Sequence, residues 1–129
     1  MTKYESLWED FQEAVKRLEE ILKEPRSDIV RDSAIKRFEL VFDLSWKTLK
    51  ALLEEQHAIS CASPRNCFQE AFRVGIIDYN EGWLGLISDR NYTAHMYKET
   101  LAEKIYIALP QKLILFQNLE KRLEKSKDD

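Results

Sequence analysis

The sequence is poor in residues that interrupt helices, since its 129 residues include only three glycines and three prolines. It has two cysteines and two histidines, and their spacing follows none of the common metal-ligand patterns, so we predict no metal site and no cofactor. No window approaches 18 consecutive apolar residues, which argues against a membrane-spanning helix. The first ten residues lack the apolar core of a signal peptide, so we expect a cytoplasmic protein.

The two cysteines, Cys61 and Cys67, lie close together around a proline-containing loop. Their separation is compatible with a disulfide, but a reducing cytoplasm disfavours one. A zinc site would need further ligands, and His57 is the only nearby candidate. We therefore expect neither a disulfide nor a metal at this position.

The overall composition, with 44% hydrophobic and 33% charged residues, is typical of a helical domain. The length suits a single domain over residues 1–129 that buries a sizeable core and needs no disulfide bonds for stability. The net charge of −3 argues against a protein that coats nucleic acid non-specifically. It leaves room for a localised basic cleft.

Apolar residues recur every three to four positions through most of the chain, which predicts amphipathic helices. The first should run from Thr2 or Lys3 to Lys23, the second from Asp28 to Gln56, and a short third from the Ser63-Pro64 start to Val74, ended by Gly75. Asp78 should cap a fourth helix, and a last stripe runs from Leu101 to Leu123 with a kink or break at Pro110. We predict an all-α fold, an up-and-down four-helix bundle with one or two extra short helices.

The fourth predicted helix leads into Arg90, His95 and Tyr97, which are spaced Arg-x4-His-x-Tyr. Arginine offers a charged planar fork for a phosphate, histidine exchanges protons near neutral pH, and tyrosine supplies a phenol. On one continuous helix, His95 would lie about 140° around the axis from Arg90, too far to share a phosphate. We therefore predict a helix end near Asn91-Tyr92-Thr93, with a subunit interface as the other way to bring the side chains together.

Charged residues elsewhere leave two interpretations open. Arg37, Glu39 and Asp43 on the second helix suit a solvated face with intrahelical pairs, but Arg37 or Glu39 would also suit the cleft that contains Arg90. In a second interpretation, Asp89 is the ion-pair partner of Arg90 at a helix junction. The Arg90 and His95 pattern would then have a structural role.

Two further features concern helix packing. Gly82 and Gly85 predict the close approach of another helix. Ile107, Ile114 and Leu115 add apolar surface outside the main stripe of the last helix, which predicts a second buried face and hence a homodimer.

Several blocks of the sequence together resemble HEPN-domain proteins of the HepT type, also called nucleotidyltransferase substrate-binding proteins. The blocks are Arg90-Asn91-x3-His95-x-Tyr97, Arg37-Phe38-Glu39, Leu44-Ser45-Trp46-Lys47-Thr48-Leu49, Ser63-Pro64-Arg65, Ala71-Phe72 with Gly75, and Trp83 leading into Asp89. They extend over nearly the whole chain at matching distances.

The resemblance implies a homodimeric, metal-independent endoribonuclease that cleaves RNA at a dimer cleft. It would be the toxin of a toxin–antitoxin pair, silenced when a cognate minimal nucleotidyltransferase antitoxin transfers AMP to Tyr97. Arg90 would hold the scissile phosphate, His95 would transfer protons and Asn91 would orient a reacting group, with Asp89, Arg37 and Glu39 as supporting residues.

Two other interpretations remain open at this point. The chain could be a non-catalytic subunit that presents a substrate or nucleotide to a separate nucleotidyltransferase, because binding and cleavage need the same residues. It could also be a helical assembly module, which a buried, ion-paired motif would favour.

Overall fold

Five α-helices account for most of the described chain. The computed structural model describes residues 1–94 and 98–128, with side chains as far as Lys125 at the C-terminal end. The helices are α1 (Lys3–Leu22), α2 (Asp28–His57), α3 (Pro64–Arg73), α4 (Gly82–Thr93) and α5 (Glu99–Asp128). These residues include no β-strand, so the predicted all-α bundle is confirmed, with α3 as a short extra helix. Over the same residues, no helix is both long and apolar enough to cross a membrane.

Side-chain caps explain where the first three helices begin. Thr2 and Glu5 form a reciprocal capping box at the start of α1. The hydroxyl oxygens of Ser27 and Ser63 accept backbone N–H bonds at the starts of α2 and α3, and Pro64 occupies the first turn of α3. These caps satisfy N–H groups that have no partner within the helix, and they confirm the predicted starts of α2 and α3.

The predicted cap of the fourth helix is wrong. Helix α4 begins at Gly82, and Asp78 lies earlier in the chain, where it forms an ion pair with Arg122 at 2.6 Å. The side-chain oxygen of Asn80 instead accepts the N–H of Gly82 at 2.8 Å. This bond spans two residues and satisfies the first N–H of α4, whereas Glu81 at the N-cap position makes no side-chain cap bond.

Pro110 does not break α5, so the predicted break is wrong, and the alternative, a kink, stays a prediction. The helix continues from Glu99 to Asp128 with Pro110 inside it. Leu109 and Phe116, on either side of the proline, are fully buried, whereas Pro110 itself is exposed. We attribute the continuity to this burial, which offsets the lost backbone hydrogen bond.

The two glycines of α4 have different surroundings. A Cβ atom on Gly82 would lie 2.7 Å from a methyl carbon of Leu115 on α5, so the two helices approach closely at this glycine, as predicted. A Cβ atom on Gly85 would meet nothing within 4 Å. The same prediction is therefore wrong for Gly85 within the described structure.

Aromatic rings connect the helices at the centre of the core. Phe116 of α5 contacts Phe11 of α1, Phe38 of α2 and Trp83 of α4, with ring centroids 6.2–6.5 Å apart. Tilted and edge-on arrangements at such distances are favourable for aromatic pairs. This cluster fixes α1, α2 and α4 relative to one another through α5.

Helices α1 and α2 pack side by side in opposite directions. Three hydrogen bonds between them record the register: Tyr4 N–H to Glu55 at 2.8 Å, Thr48 hydroxyl to the Leu7 carbonyl at 3.3 Å, and Arg37 guanidinium to the Arg17 carbonyl at 2.7 Å. Residue numbers fall along one helix as they rise along the other. The second half of α1 therefore lies beside the first half of α2.

A disulfide joins Cys61 and Cys67, so the expectation of unpaired cysteines is wrong. Their Cα atoms are 5.2 Å apart and both residues are buried against Leu53. The turn into α3, where the N–H of Cys67 donates to the Ser63 carbonyl, brings the two side chains together. Both thiols are consumed, so neither is a thiolate ligand for a metal in this state.

Ion pairs connect the beginning of α2 to the beginning of α5. Arg31, only 6% exposed, lies 3.0 Å from Asp32 and 3.6 Å from both Asp28 and Glu103. Arg26 also pairs with Glu103. The hydrogen bond from Arg26, supported by Arg31, holds the pKa of Glu103 below its ordinary value. This network was not predicted, because Arg31 looks like an exposed residue in the sequence.

We predict that replacing Glu103 with glutamine makes folding less sensitive to acid. A carboxyl whose pKa is lower in the folded state contributes stability at neutral pH and loses it as pH falls through the folded pKa. The melting temperature of Glu103→Gln should therefore be lower than wild type at pH 7, with a smaller drop between pH 7 and pH 3. Glu54→Gln, at an exposed position of α2, is the control, and an equal drop in wild type and Glu103→Gln would contradict the prediction.

Candidate functional site

Arg90 lies in the last turn of α4, and two carboxylates from α2 hold it. Its Nη1 atom is 3.2 Å from Oε2 of Glu39, and its Nε atom is 3.6 Å from Oδ1 of Asp43. Glu39 and Asp43 are four residues apart, so they share one face of α2, and that face is turned towards α4. The interpretation that they form intrahelical pairs on a solvated face is therefore wrong.

Further contacts fix the orientation of the Arg90 guanidinium. Thr93 donates its hydroxyl to the Arg90 carbonyl at 2.7 Å and accepts from Nη1 of Arg90 at 3.4 Å. The Nε atom is buried and makes no hydrogen bond to a described residue, because Asp43 at 3.6 Å is beyond hydrogen-bonding distance. Arg90 is thus positioned mainly by ion pairs on one side, with its side chain 27% exposed.

Asp89 does not pair with Arg90. Its carboxylate forms an ion pair with Lys112 of α5, on a different side of α4 from Glu39 and Asp43. The expectation that Asp89 would be the partner of Arg90 is therefore wrong. Adjacent residues on a helix point about 100° apart, which lets Asp89 hold α4 against α5 while Arg90 contacts α2.

The other predicted site residues have different positions. Helix α4 ends at Thr93, which confirms the prediction of a helix end between Arg90 and His95. Asn91 is exposed in the last turn of α4. His95 and Tyr97, the predicted proton-transfer and modification residues, lie outside the described residues, between α4 and α5. Their predicted roles stay predictions.

A pocket of about 370 Å³ opens beside Arg90. Arg37 and Glu39 line it together with Arg90, so the structure brings these three predicted residues to one surface. Its remaining lining residues are Ala14 and Arg17 of α1 and Lys36, Leu40 and Asp43 of α2. Four cationic side chains against two carboxylates give the pocket two excess positive charges, although the whole chain has a net charge of −3.

Sequence reasoning missed Arg17, Lys36 and Leu40. Arg17 enters the pocket because α1 and α2 are antiparallel, which places it beside Arg37 at the shared seam. The only signal in the sequence was the position of basic residues at the edge of each amphipathic stripe, at Lys16-Arg17 and Lys36-Arg37. That signal is weak, because basic residues at the edge of a helix usually cover apolar surface with their stems.

Comparisons with known proteins agree with the fold. Residues 6–125 match the model of a family described as "Nucleotidyltransferase substrate binding protein like". A Haemophilus influenzae protein named Probable ribonuclease HepT is 31% identical over 94 residues, which are 67% of this chain and 64% of that relative. The match therefore spans less than two thirds of the relative's length. A crystal structure from Thermus thermophilus has a TM-score of 0.81 and 36% identity, covering 88% of this chain and 98% of that one.

We predict that Arg90 and Glu39 stabilise the fold cooperatively. In a double-mutant cycle with Arg90→Met and Glu39→Gln, urea unfolding should give a coupling of about 1 kcal/mol, since both side chains are largely shielded from water. The exposed pair of Glu19 and Lys23, four residues apart at the end of α1, is the comparison and should give about 0.3–0.5 kcal/mol. A coupling at Arg90 no larger than in this exposed pair would contradict the prediction.

Proposed function

This chain belongs to the nucleotidyltransferase substrate binding protein like family, and from that premise we propose that it is a metal-independent endoribonuclease. We further propose that it is the toxin of a HEPN/minimal-nucleotidyltransferase toxin–antitoxin pair. The observation that carries the proposal is the cationic pocket beside Arg90, in the last turn of the helix that leads to His95. The name of the Haemophilus relative supports a ribonuclease, and the family description supports a nucleotidyltransferase partner.

In this proposal Arg90 binds the scissile phosphate. Its contacts with Glu39 and Asp43 on one side leave the rest of the guanidinium fork for an anion, and a guanidinium suits two phosphate oxygens at once. Because these contacts fix the direction of the side chain before substrate arrives, little side-chain entropy is lost on binding. Glu39 is then a positioning residue for Arg90.

The chemistry needs no external nucleophile. The 2′-hydroxyl of the ribose attacks the adjacent phosphorus, the bond to the 5′-oxygen of the next nucleotide breaks, and a cyclic phosphate and a 5′-hydroxyl result. One base removes the 2′-hydroxyl proton and one acid protonates the leaving oxygen, so the net proton count is unchanged. His95 performs proton transfer, Asn91 orients a reacting group, and Arg90 stabilises the charge that grows on the phosphate oxygens.

A homodimer would supply a second histidine and a second arginine to one cleft. Support comes from α5, where Ile107 is 70% exposed and Ile114 is 56% exposed. Seven residues separate them, so both lie on one side of the helix. Leu115, which was expected to add to this surface, instead packs against Gly82 within the chain. Ile107 and Ile114 are therefore the apolar residues that we propose for the dimer contact.

Replacing His95 tests the nuclease. We expect His95→Ala to lower the rate of cleavage of a single-stranded RNA by about 10²–10⁴-fold, the usual contribution of an acid–base group, with unchanged helical content by circular dichroism. His57→Ala, at the exposed end of α2, is a matched control that should cut at the wild-type rate, and a metal chelator should have no effect. Cleavage by His95→Ala at the wild-type rate would remove this mechanism.

Silencing by AMP transfer concerns Tyr97. The phenol oxygen would attack the α-phosphorus of ATP, pyrophosphate would leave, and the phenol proton would pass to solvent. The product would add bulk and negative charge beside a cationic pocket and so repel RNA.

Incubation with the partner nucleotidyltransferase and ATP should therefore add one adenylyl group by mass spectrometry and stop cleavage. Tyr97→Phe should remain unmodified and active. Tyr92→Phe changes an exposed tyrosine of α4 in the same way and should still be modified. Full modification of Tyr97→Phe would mean that another residue accepts the adenylyl group.

A non-catalytic substrate-binding subunit is the second candidate, favoured by one observation. Glu39 and Asp43 offset the charge of Arg90, which would weaken its stabilisation of the charge that grows on the phosphate during cleavage and leave binding to the other cations of the pocket. In that case the wild-type protein would bind RNA or nucleotide and cut nothing, with or without a chelator. The nuclease assay above separates the two candidates.

A further inference from the structure

We propose that Arg17, Lys36 and Arg37 form a second phosphate-binding subsite beside Arg90. Its ligand would be a second backbone phosphate of the same single-stranded RNA, near the scissile one. This inference rests on the proposed function, because it names how the same pocket would hold the strand. It concerns two residues, Arg17 and Lys36, to which neither the motif nor the sequence reasoning gave a role.

The first step is the charge around Arg90. Glu39 and Asp43 both lie within 4 Å of its guanidinium, so one positive charge faces two negative charges at that end of the pocket. A phosphodiester bound there would be repelled by the two carboxylates at short range. A strand would therefore need further cations nearby to bind with useful affinity.

Further cations line the same pocket, from the preceding turn of α2 and from α1. Arg17 and Lys36 are exposed and Arg37 is half-buried, and all three line the cavity. None of the ion pairs between described residues involves any of the three. Three positive charges are thus directed to one concave surface with no described carboxylate bound to them.

Arg37 gives this part of the pocket a fixed geometry. Its Nη1 atom donates to the backbone carbonyl of Arg17 at 2.7 Å across the seam between α1 and α2. This contact uses one of the five N–H donors of the guanidinium, and it leaves the side chain of Arg17 uninvolved. The Arg37 guanidinium is therefore held at the backbone of Arg17, whose own exposed side chain also lines the pocket.

The pocket is long enough for more than one phosphate. Arg37 and Asp43 are six residues apart on α2, which is about 9 Å along the helix axis. Stacked nucleotides of one strand are separated by roughly 3.4 Å, so one strand could place different phosphates at the two ends. Between the ends lie Ala14 and the half-exposed Leu40, an apolar floor without an aromatic ring. We therefore expect little base preference at this subsite.

The test is the salt dependence of RNA binding. RNA binding would be measured with a fluorescent oligouridine of about 12 nucleotides, within the usual range of single-strand site sizes. The titrations would be made at several salt concentrations with proteins that carry His95→Ala, which prevents cleavage. Adding Arg17→Gln and Lys36→Gln together should weaken binding about tenfold at low salt and reduce the slope of log K against log salt by about 0.7, the loss of one single-strand phosphate contact. Lys16→Gln with Lys121→Gln removes the same charge at exposed positions outside the pocket and should leave the slope unchanged.

The outcomes separate this inference from the proposed function. We call the Arg17→Gln, Lys36→Gln protein the pocket variant and the Lys16→Gln, Lys121→Gln protein the control variant. Equal salt slopes of RNA binding for the two would overturn the subsite. So would a pocket variant that loses binding of free AMP and keeps its RNA slope, because the ligand would then be a nucleotide and not a strand.

Cleavage gives an independent comparison. In the presence of His95, the pocket variant should raise KM for RNA and leave kcat near the wild-type value. If the wild-type protein binds RNA without cutting it, the nuclease proposal fails while the slope still tests the subsite. If it binds no RNA at all, both fail.

Discussion

The antiparallel packing of α1 against α2 is the constraint on which the rest of the structure depends. Three hydrogen bonds spread along this pair set one register. The register determines that the second half of α1 faces the first half of α2, where Arg37 and Glu39 are found, with Asp43 one turn beyond Glu39. Buried side chains from both helices then form the floor on which α4 and α5 pack.

Helix α4 brings Arg90 to this floor through electrostatics as well as apolar packing. Trp83 and Leu86 bury its early turns, and the pairs of Asp89 with Lys112 and of Arg90 with Glu39 fix its last turn on two sides. One turn of helix is thus tied to both of its neighbours by opposite charges. Ion pairs weaken when water reaches them. The partial burial of these groups therefore lets their charges fix the orientation of the last turn of α4.

The charge distribution explains how an acidic chain can carry a cationic pocket. The net charge is −3, yet cationic side chains outnumber carboxylates around the pocket. At physiological salt the field of distant surface charges is screened within about 8 Å, so the nearest side chains dominate what an approaching phosphate meets. Overall charge is therefore a poor guide to binding at this one surface.

Much of the fold followed from local chemistry in the sequence. Hydrophobic periodicity predicted the helices, Ser27 and Ser63 predicted two of the starts, and the weak helix formers after Arg90 predicted the end of α4. The errors have local causes of a different kind. Asn80 replaced Asp78 near the start of α4, and burial on both sides of Pro110 kept α5 continuous. The cysteines paired because a turn brought them together, which an argument about compartments could not show.

The sequence by itself determined which segments are helical and which faces they bury, because these properties depend on neighbours three or four positions away. Only the tertiary structure decided that Arg90 pairs with Glu39 and Asp43, that Asp89 turns to α5, and that Arg17 meets Arg37. Those contacts join residues on different helices, far apart in the chain, and helix register and packing set such distances.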